Sequence, residues 1–359
     1  MRTLVLNSSQ HRQPVGSDPW VRATLQAVDD AVAAEHEMVT SVGLPCWELS
    51  LWRCARQGAR THIVCPIPRT EQAEETAQAW MRSFHLQPGV VHWHWVLSES
   101  RRPKSGWLLR DKTAIALSDS IQAVSVRPSG RLATMLDESR RVAMMDYAVP
   151  WQRQARSTRW QQRIPSMSKD SWPPGSIVHL TRSCDGPWPG ESHAQYYEDV
   201  VASKNTYARS GYETLQRIVR ERCIRGTLFR ARGGQARVCL SACTTREALQ
   251  LVRFRARYAR YSFEPYSVVL LPSAVERVGA RRVTYGKGAK ADPFVQDDGV
   301  LGHWQREQEW RVLGDVDLGA LDSSEVVVVT ATDEEARELR TWSPYEVRSF
   351  GCAEPLGTT

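Results

Sequence analysis

The first 150 residues alternate short apolar runs with stretches in which apolar residues recur every three or four positions. Short apolar runs bounded by turn residues predict strands. Six such runs occur here: TLVLNS, EMVTSVG, THIVCPI, VVHWHWV, IQAVSVR and RVAMMDY. After the second, Leu49, Trp52 and Ala55 are spaced three apart and precede Gly58, which predicts a helix that ends at the glycine. Repeated strand–helix–strand units predict right-handed crossovers and an open, Rossmann-like parallel sheet.

After Pro174 the pattern changes. A strand, SIVHLTRS, precedes a long helical pattern at 193–227, which we interpret as two helices joined near Ser210 and Gly211. Strands then dominate, with a helix, TTREALQLVRFRARYARY, between the second and the third. These strands are GTLFRA, ARVCLSA, YSVVLLP, RRVTYG, EWRVLGDV and SEVVVVTA. Strands clustered after helices favour an α+β domain.

The length of 359 residues exceeds the commonest size of a single domain, so two domains are expected. We place a Rossmann-like domain at 1–150 and an α+β domain at 174–359. The segment between them, 151–173, is basic and polar and holds prolines at its end, which is typical of a linker. Its arginines and tryptophans could lie along a phosphate backbone, but a solvated connector whose tryptophans pack on one domain is favoured.

The composition excludes several classes of protein. No apolar run approaches the roughly 20 residues of a membrane span, and the N-terminus lacks the features of a signal peptide, so we expect a cytoplasmic protein without membrane partners. None of the eight cysteines belongs to a C-x-x-C pair, so no metal site is expected. The net charge of +7 permits a polyanionic partner such as nucleic acid or nucleotide phosphate. A homo-oligomer is also compatible with the sequence.

Three turns of the first domain carry candidate chemistry at the edge beyond the carboxyl ends of its strands, where such sheets bind ligands. The turn SVGLP joins a strand to a helix, so its amides could point at an anion. Another helix starts with an arginine and an aspartate, and a Ser-Gly turn precedes a third helix that carries a threonine. The candidate ligand-binding residues are Ser41, Gly43, Arg110, Asp111, Ser129, Gly130 and Thr134.

The segments 37–66 and 110–150 resemble the nucleotide-binding fold shared by the DNA-processing protein A family and the lysine-decarboxylase-like Lonely guy enzymes. The family pattern is an Arg-(Asn/Asp) helix start, a strand, then Ser-Gly-x-Leu-x-Thr. It is matched by Arg110, Asp111, Ser129, Gly130, Leu132 and Thr134. The hydrolase branch carries Pro-Gly-Gly-x-Gly-Thr and a following glutamate, where this chain has Pro-Ser-Gly-Arg-Leu at 128–132. The resemblance therefore implies binding of a nucleotide or a DNA strand rather than hydrolysis.

The strand VVHWHWV contains two histidines, His92 and His94, that alternation places on one face, with two tryptophans on the other. Two histidines spaced two apart can chelate a metal, but no third ligand is near in sequence. A structural strand is therefore favoured.

In the second domain, several polar residues lie at the ends of predicted elements. His179 ends the first strand and Ser241 ends VCLS. The run HWQREQEWRVLGD, taken as extended, turns Glu307 and Glu309 to the same side, so that at least one carboxylate can point into a cleft. Three tyrosines near the arginine-rich helix complete the set: Tyr258, Tyr261 and Tyr266.

The order of segments from 176 to 320 resembles an uncharacterised bacterial family that we place among the ADP-ribosyltransferase-like folds. The matched segments are HLTRSCDGPWPGE, ETLQRIVRERCIRGT, VCLSACTTREALQLV, FEPYSVVL, ARRVTYG and WQREQEWRVLGDVDL. The resemblance implies NAD as the substrate, with His179 and Thr181 at its ribose and Glu309 polarising the glycosidic bond, where a carboxylate stabilises developing oxocarbenium charge. It also implies a hydroxyl or aromatic residue near the nicotinamide. The candidates for that place are Tyr258, Tyr261 and Tyr266, and Ser241 is a further candidate for binding the cofactor.

Three hypotheses follow from these patterns. The first is a nucleotide-sensing domain fused to an NAD-consuming effector, as in bacterial antiphage or toxin-like proteins. The second is a single-stranded DNA-binding protein without enzymatic activity, which would use the first domain, the basic linker and the predicted arginine-rich helix from Arg246 to Arg260. The third is a nucleotide N-glycosidase acting in the first domain, which the altered glycine turn disfavours.

Overall fold

The computed structural model describes residues 1–98, 106–139, 143–152, 159–168, 170–228, 234–255, 260–286, 292–296 and 303–351. The α-helices of this part are α1 (Pro19–Ala33), α2 (Pro45–Gln57), α3 (Ala73–Phe84), α4 (Trp107–Leu117), α5 (Arg131–Ser139), α6 (Arg159–Arg163), α7 (His193–Ala202), α8 (Gly211–Glu221), α9 (Thr245–Leu251), α10 (Pro272–Arg277) and α11 (Asp333–Arg340).

The strands of the first half are β1 (Arg2–Asn7), β2 (Glu37–Ser41), β3 (Thr61–Ile67), β4 (Val91–Leu97), β5 (Ser120–Ser125) and β6 (Ala143–Met144). Those of the second half are β7 (Ile177–Leu180), β8 (Cys223–Ile224), β9 (Arg237–Ser241), β10 (Phe254–Arg255), β11 (Arg260–Tyr261), β12 (Ser267–Leu270), β13 (Arg281–Arg282), β14 (Thr284–Tyr285), β15 (Val295–Gln296), β16 (Glu309–Leu313), β17 (Val316–Asp317), β18 (Val326–Thr330) and β19 (Glu346–Ser349).

The chain forms two compact units, one of residues 1–155 and 185–208 and the other of residues 156–184 and 209–359. The domain boundaries expected at 150 and 173 stay predictions. Two tryptophans of the segment expected as a linker, Trp160 and Trp172, are buried in the core of the second unit. The α7 helix, by contrast, packs its tyrosines into the core of the first unit.

The first unit is an α/β fold around a six-stranded, all-parallel sheet in the order β4-β3-β2-β1-β5-β6, which confirms the predicted Rossmann-like architecture. The four central strands bury apolar side chains that are at most 1% exposed, among them Leu6, Val39, Ile63 and Ile121. Strands covered on both faces read as continuous apolar runs, which is why the sequence revealed them.

The α2 helix illustrates how the sequence sets an element. Pro45 occupies its first turn, where a missing N–H costs no hydrogen bond. Gly58 ends it with φ of +62°, a conformation that favours glycine, and donates its N–H to the Ala55 carbonyl. Leu49 and Trp52 are buried on the predicted face. The predicted helix is confirmed.

Strand order places a topological switch point in the first unit. β1 pairs with β2 on one side and with β5 on the other, so the chain leaves the centre of the sheet in both directions. Asn7 and Ser125, at the carboxyl ends of β1 and β5, are register partners. Open α/β sheets bind ligands outside such a point.

The second unit is an α+β fold, as predicted. Its main sheet has the order β13-β16-β9-β7-β12-β18-β19, antiparallel except for the last pair. Its central strands β12 and β18 are buried along their whole length, and their apolar side chains form the core with α8, α9 and α11. Two helices at 193–227 were expected to meet near Ser210, and Ser210 is indeed the N-cap of α8.

The helix predicted over 244–261 is wrong beyond Leu251. Thr244 and Glu247 form a capping box that starts α9, and the helix ends at Leu251. The chain then forms the antiparallel pair β10–β11, in which Phe254 and Tyr261 face each other with ring centroids 5.4 Å apart. This cross-strand aromatic contact stabilises a hairpin that helical periodicity cannot reveal.

The arginine-rich helix expected from Arg246 to Arg260 as a DNA-binding surface is therefore not formed. Tyr261 is a strand residue rather than the end of a helix. Tyr258 lies outside the described residues.

The extended run expected around Glu307 and Glu309 is wrong in its first part. Residues His303–Glu307 form a 3-10 helix, Gln308 has φ of +44°, and β16 starts only at Glu309. The N–H of Ala242 donates to the Gln308 carbonyl at 3.0 Å and fixes the bend. The bend removes the alternation that would have turned both glutamates to one side.

Smaller differences concern short elements. The strand expected from RVAMMDY is reduced to β6, and the second half of GTLFRA lies outside the described residues. In the part of the chain that the structure describes, no helix is long and apolar enough to cross a membrane.

Replacing Leu270 tests the importance of the central strands of the second unit. Its side chain is fully buried, so Leu270→Ala removes apolar contacts and leaves a cavity, which is expected to lower the free energy of unfolding by about 2 to 5 kcal/mol. Leu313→Ala is the matched control, because Leu313 is 40% exposed on β16 and its truncation should cost far less. Chemical denaturation measures both; equal losses would contradict the assigned core.

Candidate functional site

The turn after β2 was expected to bind an anion through its backbone amides. In the structure, one of these amides binds a carboxylate of the protein itself. Gly43, with φ of +91°, donates its N–H to Glu48 Oε1 at 2.8 Å. Glu48 Oε2 accepts a hydrogen bond from the Tyr197 hydroxyl at 2.7 Å, and burial, followed by the Glu48 charge, raises the pKa of Tyr197 well above its ordinary value. Ser41 is buried and donates to the Val64 carbonyl at 2.6 Å. An internal carboxylate thus occupies the anion position.

Arg110 is also paired within the chain. On α4, its Nε and Nη2 atoms donate to Asp111 Oδ1 at 2.9 and 2.8 Å, and Nη1 donates to the Val42 carbonyl at 3.3 Å. The guanidinium lies between the rings of Trp47 and Trp107, at 5.1 and 5.5 Å from their centroids. Burial raises the pKa of Asp111, and the Arg110 charge opposes the rise. Such a buried, paired ion is chiefly a structural element.

The Ser129–Gly130 turn differs from these two. Ser129 has φ of +53°, in the left-handed region that non-glycine residues seldom adopt, and α5 begins immediately after Gly130. A Cβ at Gly130 would lie 2.9 Å from the Arg127 carbonyl oxygen, so only glycine fits. Thr134, exposed on α5, turns its hydroxyl to the Gly130 carbonyl at 3.4 Å. The first-turn amides of α5 have no partner within the helix and can bind an anion.

The Gly43 and Ser129–Gly130 turns lie along one edge of the sheet. Arg110 and Asp111, which were expected at a helix start, are instead the fourth and fifth residues of α4, which begins at Trp107. β2, β1 and β5 are neighbours, and all are parallel, so their carboxyl ends share that edge. Arg131, the first residue of α5, is close enough to Asp111 that its charge, like that of Arg110, opposes the rise in the pKa of that carboxyl. Arg110 reaches this edge through its hydrogen bond to the Val42 carbonyl. The assignment of Ser41, Gly43, Arg110, Asp111, Ser129, Gly130 and Thr134 to one ligand site stays a prediction.

Sequence reasoning missed three polar residues at the switch point. The Ser8 hydroxyl accepts the Arg127 N–H at 2.9 Å, and Gln10 Nε2 donates to the carbonyls of Ser8 and Ser125 at 3.0 and 3.2 Å. Asn7 Oδ1 is buried and has no hydrogen-bond partner among the described residues. The polar run NSSQ directly after the first strand was the available signal, but its importance depends on the strand order.

An open groove of about 570 Å³ lies beside the Ser129–Gly130 turn, between β5, α5 and β6. Arg127 and Pro128 contribute to its walls. The Arg127 guanidinium lies 5.2 Å from the centroid of the Trp151 ring, as in a cation–π contact.

In the second unit, Glu309 is engaged by a neighbouring arginine. Arg311 Nε donates to Glu309 Oε1 at 2.7 Å and Nη2 to Oε2 at 2.9 Å, a bidentate pair of two buried side chains. Arg311 also donates to the Pro293 carbonyl and to Gln296 Oε1. Both carboxylate oxygens of Glu309 are therefore already hydrogen-bonded.

His179 lies on another face of the sheet from Glu309. Val178 pairs with Ser241, and Ser241 pairs with Glu309, so these three share a face and alternation turns His179 to the opposite one. The His179 Nδ1 atom is 3.0 Å from the Cys239 carbonyl, which requires a proton on Nδ1. Burial lowers the pKa of His179, which favours the neutral ring. The register does not bring His179 and Glu309 together.

The remaining predicted residues of this unit serve packing. The Thr181 hydroxyl donates to the Gly211 carbonyl at 3.1 Å. The buried Tyr261 donates to Gln161 Oε1 at 2.7 Å, and the buried Tyr266 donates to Glu335 Oε1 at 2.7 Å. Ser241 donates to the Glu307 carbonyl at 2.6 Å. The assignment of these four side chains to NAD stays a prediction.

Glu307, rather than Glu309, is the carboxyl of this unit whose pKa departs strongly from its ordinary value. Burial and the neighbouring Glu309 raise the pKa of Glu307 to about 7, against the opposing charges of Arg255, Arg253 and Arg182. A group that titrates near neutral pH can both donate and accept a proton. Perturbed carboxyls of this kind concentrate at functional sites, although structural charge networks produce them as well.

The histidines of VVHWHWV join a third histidine that the sequence did not connect to them. His62 Nδ1 is 2.9 Å from His94 Nε2, and His62 Nε2 is 3.0 Å from Glu37 Oε2, while the His62 and His92 rings stack with centroids 5.0 Å apart. Across the described residues, no group of histidine, cysteine, aspartate or glutamate side chains could hold a metal ion. The cluster is a polar contact across β2, β3 and β4.

Comparison with known proteins gives one weak structural likeness. No protein-family model matches the chain, and no curated protein matches it. Among solved structures, it is similar to DNA processing protein A from Helicobacter pylori, whose study concerns a single-stranded DNA binding mode. The identity is 13%, the TM-score is 0.28, and the likeness covers 39% of this chain and 62% of that chain, which is less than two thirds of its length. A likeness of this size carries no conclusion about function.

Titration of Glu307 tests the electrostatics of the second unit. In the folded protein its carboxyl should titrate near pH 7, so the folded state holds a proton that the unfolded state releases between about pH 4.5 and 7. Raising the pH through this window should therefore reduce stability, and Glu307→Gln should remove that dependence. Carbon NMR of labelled glutamate measures the midpoint.

A second variant supplies the control for that titration. Glu309→Gln removes the neighbouring negative charge and leaves Arg311 uncompensated, so the Glu307 midpoint should fall. A Glu307 midpoint near 4.5 in the unaltered protein would contradict the assigned environment.

Proposed function

We propose that the first unit binds the phosphate of a nucleotide or of a single nucleic acid strand at the Ser129–Gly130 turn. The observation that carries this proposal is the left-handed Ser129, a strained non-glycine residue in the turn between β5 and the start of α5. Arg131 follows at once, exposed on the first turn of α5. Helix amides and an adjacent arginine together suit a phosphate group.

The choice of this turn over the Gly43 turn rests on charge. At Gly43 the amide already binds Glu48, whose carboxylate would repel a phosphate. Arg110, whose guanidinium lies near that turn, is already paired with the Asp111 carboxylate. The Ser129–Gly130 turn has arginines at both flanks, Arg127 and Arg131, and lies at the switch point of the sheet. The resemblance of its residues to the DNA-processing protein A family points the same way.

A second candidate function concerns the second unit, as an NAD-consuming ADP-ribosyltransferase. The observation that favours it is Glu307, a carboxyl with pKa of about 7 among Arg182, Arg253 and Arg255. Arginines suit the pyrophosphate of a dinucleotide, and a carboxyl can support the ribose as the nicotinamide bond breaks. Glu309, expected from the sequence to do this, is held by Arg311, so we assign the role to Glu307.

Substituting Arg131 tests phosphate binding. Arg131→Ala removes one charge-assisted contact worth roughly 1.5 kcal/mol, so affinity for a short fluorescent single-stranded DNA of mixed sequence should fall about tenfold. The slope of log affinity against log salt should fall by about one, as for one lost phosphate contact. Fluorescence anisotropy at several salt concentrations gives both values.

Arg82→Ala serves as the matched control for Arg131→Ala. Arg82 is an exposed arginine of the first unit on α3, away from the carboxyl-edge turns, and its loss should leave affinity nearly unchanged. Equal effects of the two substitutions, or DNA affinity that does not depend on salt, would show that the Ser129–Gly130 turn is not the phosphate site.

NAD turnover tests the second candidate. Glu307→Gln should abolish release of nicotinamide, measured by chromatography, without lowering the melting temperature by more than a few degrees. Glu309→Gln should instead destabilise the unit by about 3 to 5 kcal/mol, because it leaves Arg311 buried without its partner. Glu276→Gln, at an exposed position on α10, is the control. If the unaltered protein releases no nicotinamide from NAD, this candidate fails.

A further inference from the structure

The groove beside the Ser129–Gly130 turn has the size and lining of a small-molecule site. Its volume of about 570 Å³ lies within the range of roughly 300 to 1,000 Å³ found for ligand pockets. Ala133, Leu136, Ala143 and Met145 give it apolar walls from α5, from β6 and from the residue just after β6. Apolar walls of this kind suit a flat ring better than a phosphate or a sugar.

Two charged side chains interrupt these apolar walls. Arg127 lines the groove, and its guanidinium rests against the Trp151 ring with 5.2 Å to the centroid, so that its plane is supported by an aromatic face. Asp137, from α5, is the carboxylate of the lining. A carboxylate accepts hydrogen bonds only, so it selects a ligand that presents N–H donors.

The groove is continuous with the phosphate turn. Pro128 lines the groove and immediately precedes Ser129, while the Arg127 backbone is fixed by its hydrogen bond to Ser8. A ligand bound at both places would carry a negatively charged group and a flat ring joined by a short spacer. A nucleotide has this form.

We propose that this groove binds an amino-bearing nucleobase, such as adenine, with Asp137 accepting from its exocyclic amino group. The inference rests on the proposed phosphate site, because it assigns the base of the same nucleotide. Thymine and uracil have no exocyclic amino group. Their one donor, N3–H, lies between two carbonyl oxygens that would both approach the Asp137 carboxylate and be repelled by it. The chemistry therefore predicts discrimination between AMP and UMP.

The test compares AMP and UMP by isothermal titration calorimetry. A hydrogen bond to a charged group is worth about 1.5 to 3 kcal/mol, so the unaltered protein should bind AMP at least about tenfold tighter than UMP. Asp137→Asn should bring this ratio close to one, because an amide can donate as well as accept. Ala143→Phe fills the groove from β6 and should weaken binding of AMP at least about tenfold, with the melting temperature confirming that the variant folds.

Glu138→Gln is the matched control, since Glu138 is the next residue of α5, is exposed and does not line the groove. It should leave the ratio of AMP to UMP affinity unchanged. Equal affinity for AMP and UMP in the unaltered protein, or full AMP affinity in Ala143→Phe, overturns the base site. If Arg131→Ala still weakens DNA binding in that case, the phosphate site survives. If neither nucleotide nor DNA binds, both proposals fall.

Discussion

Parallel pairing of six strands is the constraint on which the candidate site of the first unit depends. Because all strands run in one direction, each connection must return across the sheet, and the turns that follow β1, β2 and β5 open at a single edge. The helices α2 and α5 begin at this edge, so the positive ends of their dipoles lie there. Anion binding at this edge follows from the topology before any side chain is considered.

Side chains then decide which helix start stays available. At α2, the chain supplies its own anion in Glu48, fixed by Tyr197, and the nearby Arg110 is neutralised by Asp111. Buried charges require such partners, because an isolated one is expensive to desolvate. At α5 the equivalent anion position is flanked by Arg127 and Arg131. The two turns look alike in sequence. They differ because the turn before α2 already binds a carboxylate of the protein, whereas arginines flank the turn before α5.

Elements fixed by local signals could be predicted from the sequence. The helix α2 and its end followed from the buried spacing and Gly58, and the strands of the parallel sheet followed from their apolar runs. The end of α9 at Leu251 could not be predicted, because the hairpin after it depends on a contact between Phe254 and Tyr261 across strands. Helical periodicity carries no information about such a contact.

The candidate site likewise has features that local sequence signals reveal and features that only the folded structure reveals. Sequence patterns identified the carboxyl-edge turns, because strand, turn and helix follow one another along the chain. They could not show that Tyr261 and Tyr266 point into packed surroundings or that Arg311 holds Glu309, since both depend on strand register. The bend at Gln308, which separates the directions of Glu307 and Glu309, depends on a hydrogen bond to Ala242 in a distant segment.

One physical criterion selects the candidate residues in each unit. Glu48, Asp111 and Glu309 are carboxylates that already accept hydrogen bonds from groups of the protein, and such carboxylates have little left to offer a ligand. Glu307 lies near arginines, yet burial and the Glu309 charge outweigh them and keep its pKa near 7. In the first unit, Ser129 has a left-handed backbone, and among the described residues no carboxylate accepts a hydrogen bond from the Ser129–Gly130 turn. Strain and incomplete charge compensation persist where a ligand can relieve them, which is why these positions, rather than the better-paired ones, carry the functional proposals.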